Sequence, residues 1–131
     1  MGAGSRRKGA EAEREVARLF AAAGFAARRT PNSGGLHVPG DLTDPFGQPV
    51  RLASGENLHV EVKRQERWDI PAYLRQAYKD APKTAVPVVF VRRSKHGHDP
   101  CGDWHAIIDA QWLLALLSEW NWMHEATYGP N

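Results

Sequence analysis

The spacing of apolar residues predicts three helices along the chain. Residues 8–23 carry apolar side chains at i, i+3 and i+4 spacing, which is typical of an amphipathic helix. A second helix is expected to follow the N-cap Asp69 and to run to about residue 81, with a proline in its first turn. After a further cap at Asp109, leucine and tryptophan recur at helical spacing over residues 110–122. These segments therefore predict helices near the start, the middle and the end of the chain.

Five strands are predicted between these helices. Residues 25–29, 41–43 and 58–63 precede the second helix, and residues 88–91 and 104–108 follow it. The continuous apolar run at 88–91 is typical of a central strand covered on both faces. The order α-β-β-β-α-β-β-α predicts an α/β fold with one mixed sheet flanked by helices.

The length of 131 residues and the composition, 42% hydrophobic and 24% charged, predict one globular domain over residues 1–131. Residues 1–7 are expected to form a flexible basic arm and residues 123–131 a frayed tail. No apolar run approaches the roughly 20 residues of a membrane-spanning helix, and the start lacks a secretory pattern. We therefore expect no membrane association and a cytoplasmic location, in the host if the chain is viral. The lone Cys101 excludes an internal disulfide.

Charge is unevenly distributed, although the net charge is only +2. Residues 1–30 carry seven Lys or Arg against three acids, and residues 61–100 carry nine against five. Residues 101–131 carry none against four. A basic face for a polyanion and an ordinary solvated surface both fit this distribution.

Candidate chemistry lies on the strand at 58–63. Glu61 and Lys63 are two residues apart, so they share one face, which we expect to meet solvent. Asp41 begins what we interpret as the neighbouring strand of a hairpin. Two carboxylates on adjacent strands can share a hard cation such as Mg²⁺, with the carbonyl of Val62 as a further oxygen ligand. A simple surface ion pair would have the same spacing.

Several motifs extend this pattern into a family resemblance. They are Lys8–Glu15, Gly24-Phe25 with Arg28-Arg29, Asn32–Gly35, Pro39–Leu42 and Glu61–Lys63. Together they resemble the archaeal-type Holliday junction resolvases of the PD-(D/E)xK nuclease superfamily, which has phage members as well. The resemblance implies a restriction-endonuclease-like core and Mg²⁺-dependent hydrolysis, with Mn²⁺ as a possible substitute. It also implies a homodimer that cuts opposing strands of a four-way DNA junction.

The resemblance also implies roles for individual residues. Glu13 corresponds to the helix-borne acid of the family, which would complete or orient the metal coordination. Asp41 and Glu61 correspond to its metal ligands and Lys63 to its catalytic lysine. Ser33 is similar to the active-site serine on a flexible loop, although a Ser-Gly-Gly turn is the simpler interpretation.

Contacts to DNA are expected mainly from basic residues around these acids. The expected set is Arg6, Arg7, Lys8, Arg28, Arg29, Ser33, Arg64, Arg67 and Gln76. Taken individually, each of these basic side chains is more often a solvated surface group than a DNA contact. The histidines and cysteine at 96, 98, 101 and 105 do not have a usual zinc-site spacing, so we expect a polar hairpin tip there. The tryptophans of the acidic C-terminal segment are expected to pack in the core or on a dimer surface.

The resulting hypothesis is a structure-selective endodeoxyribonuclease that resolves four-way junctions. One alternative is another nuclease of the same superfamily that acts on flaps, nicks or ends. An alternative of a different class is a module that binds branched DNA without cutting it.

Overall fold

The computed structural model describes residues 3–31, 40–52, 54–94 and 103–129. Within these ranges the chain has a mixed α/β fold. Its elements are α1 (Ala3–Ala22), β1 (Arg28–Arg29), β2 (Leu42–Thr43), β3 (Val50–Arg51), β4 (Asn57–Arg64), α2 (Ile70–Asp80), β5 (Ala85–Arg92), β6 (His105–Ile108) and α3 (Ala110–Tyr128). None of the helices in the described ranges has the length and apolar character needed to span a bilayer.

The main sheet has the strand order β3-β4-β5-β6. β4 and β5 pair in parallel and are joined through α2, because parallel neighbours need a long crossover connection. β3 and β6 pair antiparallel at the two edges, so the sheet is mixed as expected. β3 was not predicted, because two residues are too short to show alternation. β1 and β2 form a separate antiparallel pair. The predicted hairpin between the strand of Asp41 and β4 is therefore wrong, because β3 takes that position in the ladder.

Helices cover both faces of the main sheet. On one face, Val16 and Phe20 of α1 pack with Val60 and other valines of the central strands. On the other, Tyr73 and Ala77 of α2 pack against β5. This second layer covers the side of β4 that carries His59, Glu61 and Lys63, which was expected to meet solvent. The alternation along β4 was correctly predicted, but it does not reveal which layer covers each face.

The outer helices are longer than their apolar patterns predict. α1 begins at Ala3, so residues 3–7 are helical where a flexible arm was expected. A polar segment has no periodicity to reveal it, but each residue added to an existing helix gains a backbone hydrogen bond. α3 continues to Tyr128, so most of the expected frayed tail is also helical. It ends at Gly129, whose φ of 80° is accessible to glycine at low cost. The predicted caps Asp69 and Asp109 are confirmed, since each accepts a backbone N–H of its helix.

Candidate active site

Asp41 is bound to the edge of β4 by two hydrogen bonds. Its backbone N–H donates to the carbonyl of Val60 at 2.7 Å. Its side-chain Oδ2 accepts the backbone N–H of Val62, also at 2.7 Å. The carboxylate thus occupies the position of a strand carbonyl just past the point where β3 ends its pairing with β4. Because a buried N–H requires an acceptor, this bond fixes the carboxylate beside Glu61.

Gly40 allows this close approach to β4. It has a φ of +89°, which side-chain-bearing residues rarely adopt. A Cβ atom at this position would lie 3.1 Å from the carbonyl oxygen of Val60 and 3.3 Å from Nδ1 of His59. A larger residue would therefore push Asp41 away from the strand.

Glu61 is buried and held by a histidine of its own strand. Its side chain is 7% exposed, and Oε1 lies 2.9 Å from Nε2 of His59, whose side chain is 1% exposed. His59 was predicted to share a face with Glu61, but no role was predicted for it. The i, i+2 spacing was the available signal, because such residues project from the same side of a strand. In the structure His59 restricts the orientation of the Glu61 carboxylate.

Glu13 reaches the same region from α1. Its Oε2 accepts from Nε of Arg29 on β1 at 2.5 Å, with both side chains partly buried. Burial raises the pKa of Glu13 above its usual value, while the bond to Arg29 and the charges of Arg29 and Arg14 oppose this rise. The charge of Glu61 raises it further, which shows that the two acids interact electrostatically.

Asp41 has a strongly raised pKa. The pKa of Asp41 is raised from 3.8 to about 7, mainly by burial and against the lowering effect of the Val62 N–H. The charges of Glu61 and Glu13 and a hydrogen bond between the Asp41 and Glu61 carboxyl groups add to the rise. Three acids that are far apart in the sequence therefore interact electrostatically.

Lys63 is oriented by α2 on the other side of the acids. Its Nζ donates to Oε1 of Gln76 at 2.7 Å and lies 5.6 Å from the ring centre of Tyr73. Gln76, predicted to contact DNA, thus binds the candidate catalytic lysine. A cleft of about 330 Å³ adjoins these groups. It is lined by Lys8, Gly9, Ala12, Val62, Lys63, Arg64 and Gln65.

The remaining predicted DNA-binding residues occupy different environments. Arg6 and Arg7 are exposed on the first turns of α1, and Arg28 and Arg67 are also exposed. Lys8 donates to the Ser94 hydroxyl. Nη1 of Arg64 lies 3.6 Å from Oε2 of Glu11, and Nη2 of Arg64 donates to the Ser94 carbonyl oxygen at 3.3 Å. Lys8 and Arg64 therefore line the cleft while they contact the segment that follows β5.

Two predicted features fall wholly or partly outside the described part of the chain. Ser33 lies outside the described residues, as do the histidines and cysteine at 96, 98 and 101. His105 is described and lies on β6, where its ring is 5.8 Å from that of Trp68.

Oxygen ligands for a cation are available at the edge of β4. Across the described ranges, no three His, Cys, Asp or Glu side chains form a ready-made ligand set. The carboxyl groups of Asp41 and Glu61 nevertheless lie close enough for Glu61 to raise the pKa of Asp41. One or two carboxylates completed by water and phosphate oxygens is the set that Mg²⁺ prefers. The donor chemistry of this pair therefore fits a hard divalent cation.

Comparison with known proteins identifies the family. The sequence model of a family described as phage putative PDDEXK endonuclease matches residues 4–121. The chain belongs to this family. The match includes Glu13, Asp41, Glu61 and Lys63, and membership in this PDDEXK endonuclease family supports the superfamily assignment made from the motifs. No curated protein matches the chain.

Replacement of Asp41 by asparagine is expected to change how the stability of this PDDEXK endonuclease depends on pH. The raised pKa means that the folded protein binds the Asp41 proton more tightly than the unfolded chain does. Its contribution to stability is complete below pH 4 and is lost as pH rises through about 7. Asparagine can still accept the Val62 N–H but does not ionise. As pH rises from 5 to 8, the free energy of unfolding of Asp41→Asn should therefore increase by on the order of 2 kcal/mol relative to that of wild type.

Urea denaturation of the metal-free protein in EDTA at the two pH values measures this difference. The exposed Asp80→Asn change on α2 is the matched control and should track wild type. If the free energy of unfolding depends on pH in the same way in Asp41→Asn and wild type, ionisation of Asp41 does not destabilise the folded protein.

Proposed function

We propose that this chain is a Mg²⁺-dependent endodeoxyribonuclease that resolves four-way DNA junctions by paired phosphodiester hydrolysis. The observation that supports hydrolysis most directly is the position of the Asp41 carboxylate, which the Val62 N–H holds at the edge of β4 next to Glu61, with Lys63 two residues along the strand from Glu61. Membership in the PDDEXK endonuclease family supports the same chemistry. The choice of four-way junctions rests on the resemblance of the motifs to Holliday junction resolvases.

In the proposed mechanism, Asp41, Glu61 and the carbonyl of Val62 would hold the cation. When bound, Mg²⁺ or Mn²⁺ would lower the pKa of a bound water and stabilise negative charge on the phosphate. His59 keeps the Glu61 carboxylate oriented through the 2.9 Å contact. Lys63, anchored by Gln76, positions the attacking water and supports the charge that develops on the phosphate oxygens.

Glu13 has a supporting role in this proposal. Its carboxylate is held by Arg29 and acts electrostatically on both Asp41 and Glu61. This position suits a group that orients water near the cation. The resemblance to Holliday junction resolvases implies that hydrolysis leaves a 5′-phosphate and a 3′-hydroxyl.

We further propose a homodimer, because a symmetric four-way junction has two equivalent cleavage points. The helix α3 offers a suitable surface. Leu113, Leu117 and Trp120 lie at i, i+4 and i+7 and are 43%, 49% and 59% exposed. The helix carries Glu119 and Glu125 but no Lys or Arg, so phosphate is a poor partner for it. We refer to Leu113, Leu117 and Trp120 as the α3 stripe.

Cleavage of a synthetic mobile four-way junction tests the function. With Mg²⁺, wild type should produce paired symmetric nicks and should cut flaps, nicked DNA and linear duplex of the same sequence less efficiently. Asp41→Asn should retain junction binding and lose at least about 100-fold in cleavage rate, because losing a metal ligand should cost more than losing a residue that only orients a ligand. Asp80→Asn should cut as wild type does. Labelled strands on denaturing gels measure each product.

Two outcomes favour the alternatives. Equal cutting of all substrates would indicate a nuclease of broader action on flaps, nicks or ends. Junction binding without cutting in either Mg²⁺ or Mn²⁺ would indicate a non-catalytic DNA-binding module.

Disruption of the α3 stripe tests the dimer. Leu117→Glu places a charge within an apolar surface that would be buried on association, so the variant should sediment as a monomer and no longer produce paired nicks. Phe46→Glu is the matched control, because Phe46 is 86% exposed in the turn before β3. A wild-type monomer at concentrations that cut junctions would contradict the dimer.

A further inference from the structure

We propose that a groove between α1 and β1 is a second phosphate-binding site, which holds DNA backbone beside the catalytic edge. This proposal rests on the nuclease function proposed above. The groove has a volume of about 440 Å³. It is lined by Arg14, Ala17, Arg18, Ala21, Ala27, Arg28 and Arg29, and we call it the α1–β1 groove.

The lining of the α1–β1 groove combines arginines with alanines. Arg14 and Arg18 are one helical turn apart, so they share one side of α1. Arg28 and Arg29 approach from β1. The alanines have short side chains, which leaves room between the guanidinium groups. This arrangement suits a charged chain lying along the groove.

The positive charge of the groove is largely uncompensated. Arg29 pairs with Glu13. The charge of Arg14 lowers the pKa of Glu13, although the two side chains are more than 4 Å apart. Within the described part of the chain, no carboxylate lies at ion-pair distance from Arg14, Arg18 or Arg28. The guanidinium groups of the groove repel one another. An anion that enters the groove is attracted by their positive charge and offsets this repulsion. Guanidinium groups match phosphate particularly well, because they donate two parallel hydrogen bonds.

The position of the groove identifies its ligand class. Arg29 lines the groove and also holds Glu13, whose charge acts on Asp41. The groove therefore adjoins the candidate catalytic carboxylates, and the cleft that contains Lys63 adjoins them as well. A nucleic-acid backbone can supply phosphates to all three places, whereas an isolated anion fills only one. Such contacts position DNA without reading its sequence.

Arg28 and Arg29 were predicted from sequence to contact DNA, whereas Arg14 and Arg18 were not. On a helical wheel Arg14 and Arg18 simply occupy the solvated side of α1. Their place in a groove becomes visible only when β1 is brought alongside the helix.

The salt dependence of DNA binding tests the groove. Junction and duplex affinities are measured by fluorescence anisotropy in EDTA, in the Asp41→Asn background, at several salt concentrations. Removing one arginine that binds a phosphate should lower the slope of log K against log salt by about 0.9. The Arg14→Ala, Arg18→Ala double change should therefore lower the slope by about 1.8, so its loss of affinity should be about 60-fold greater at 0.1 M than at 1 M salt.

Control variants distinguish a specific effect of the groove arginines from a general loss of positive charge and from a loss of folding. Arg51→Ala removes an exposed arginine on β3 and should leave affinity and slope unchanged. Arg14→Lys with Arg18→Lys keeps the charge and should keep most of the slope. Thermal unfolding of each variant checks that the fold is intact.

The outcomes distinguish this proposal from the nuclease proposal. Unchanged affinity and slope in the double alanine variant would overturn the groove, even if wild type cuts junctions. Loss of binding in that variant supports the groove, even if wild type proves unable to cut DNA. Equal affinity for polyglutamate of matched charge, with the same arginine dependence, would overturn its assignment to a phosphate backbone.

Discussion

The hydrogen bond from the Val62 N–H to the carboxylate of Asp41 is the interaction on which the candidate site depends. It completes the edge of β4 where pairing with β3 has ended. A hydrogen bond to a charged acceptor contributes about 1.5–3 kcal/mol, and an unmet buried donor costs a similar amount. The same bond that satisfies the strand therefore places one carboxylate beside that of Glu61. Gly40 makes the bond possible, because a side chain there would collide with β4.

This arrangement is electrostatically unfavourable until positive charge is supplied. Burial and neighbouring acids disfavour ionisation of Asp41, and the nearby cationic groups have other partners: Arg29 holds Glu13 and Lys63 is bound to Gln76. Surrounding packing must impose the close approach of the acids. Strain of this kind is typical of functional sites, where local rules are broken and the rest of the fold compensates. A divalent cation bound between the carboxylates would relieve it.

Much of this fold could be predicted from sequence, because long amphipathic helices and the alternation along β4 leave clear periodic signals. The motifs around Asp41 and Glu61 likewise indicated the family. Features that depend on contacts between distant segments could not be predicted. Glu61 lies beside Val89 on the sheet face against which α2 packs, and the groove beside Arg14 is completed by β1. The alternation along β4 placed His59 on the same face as Glu61. Only the structure shows that Nε2 of His59 lies 2.9 Å from Oε1 of Glu61 and so holds that carboxylate.

The central claim is that Asp41 and Glu61 together bind one divalent cation, and calorimetric titration of Mn²⁺ into the DNA-free protein tests it most directly. Glu61→Gln should keep a neutral partner for His59 while removing a ligand charge. Exposed Glu66→Gln provides the matched control. Wild type and the control should each bind one Mn²⁺, and Glu61→Gln should bind it at least about tenfold more weakly. Equal Mn²⁺ affinity in Glu61→Gln and wild type, or no binding by wild type, would contradict it.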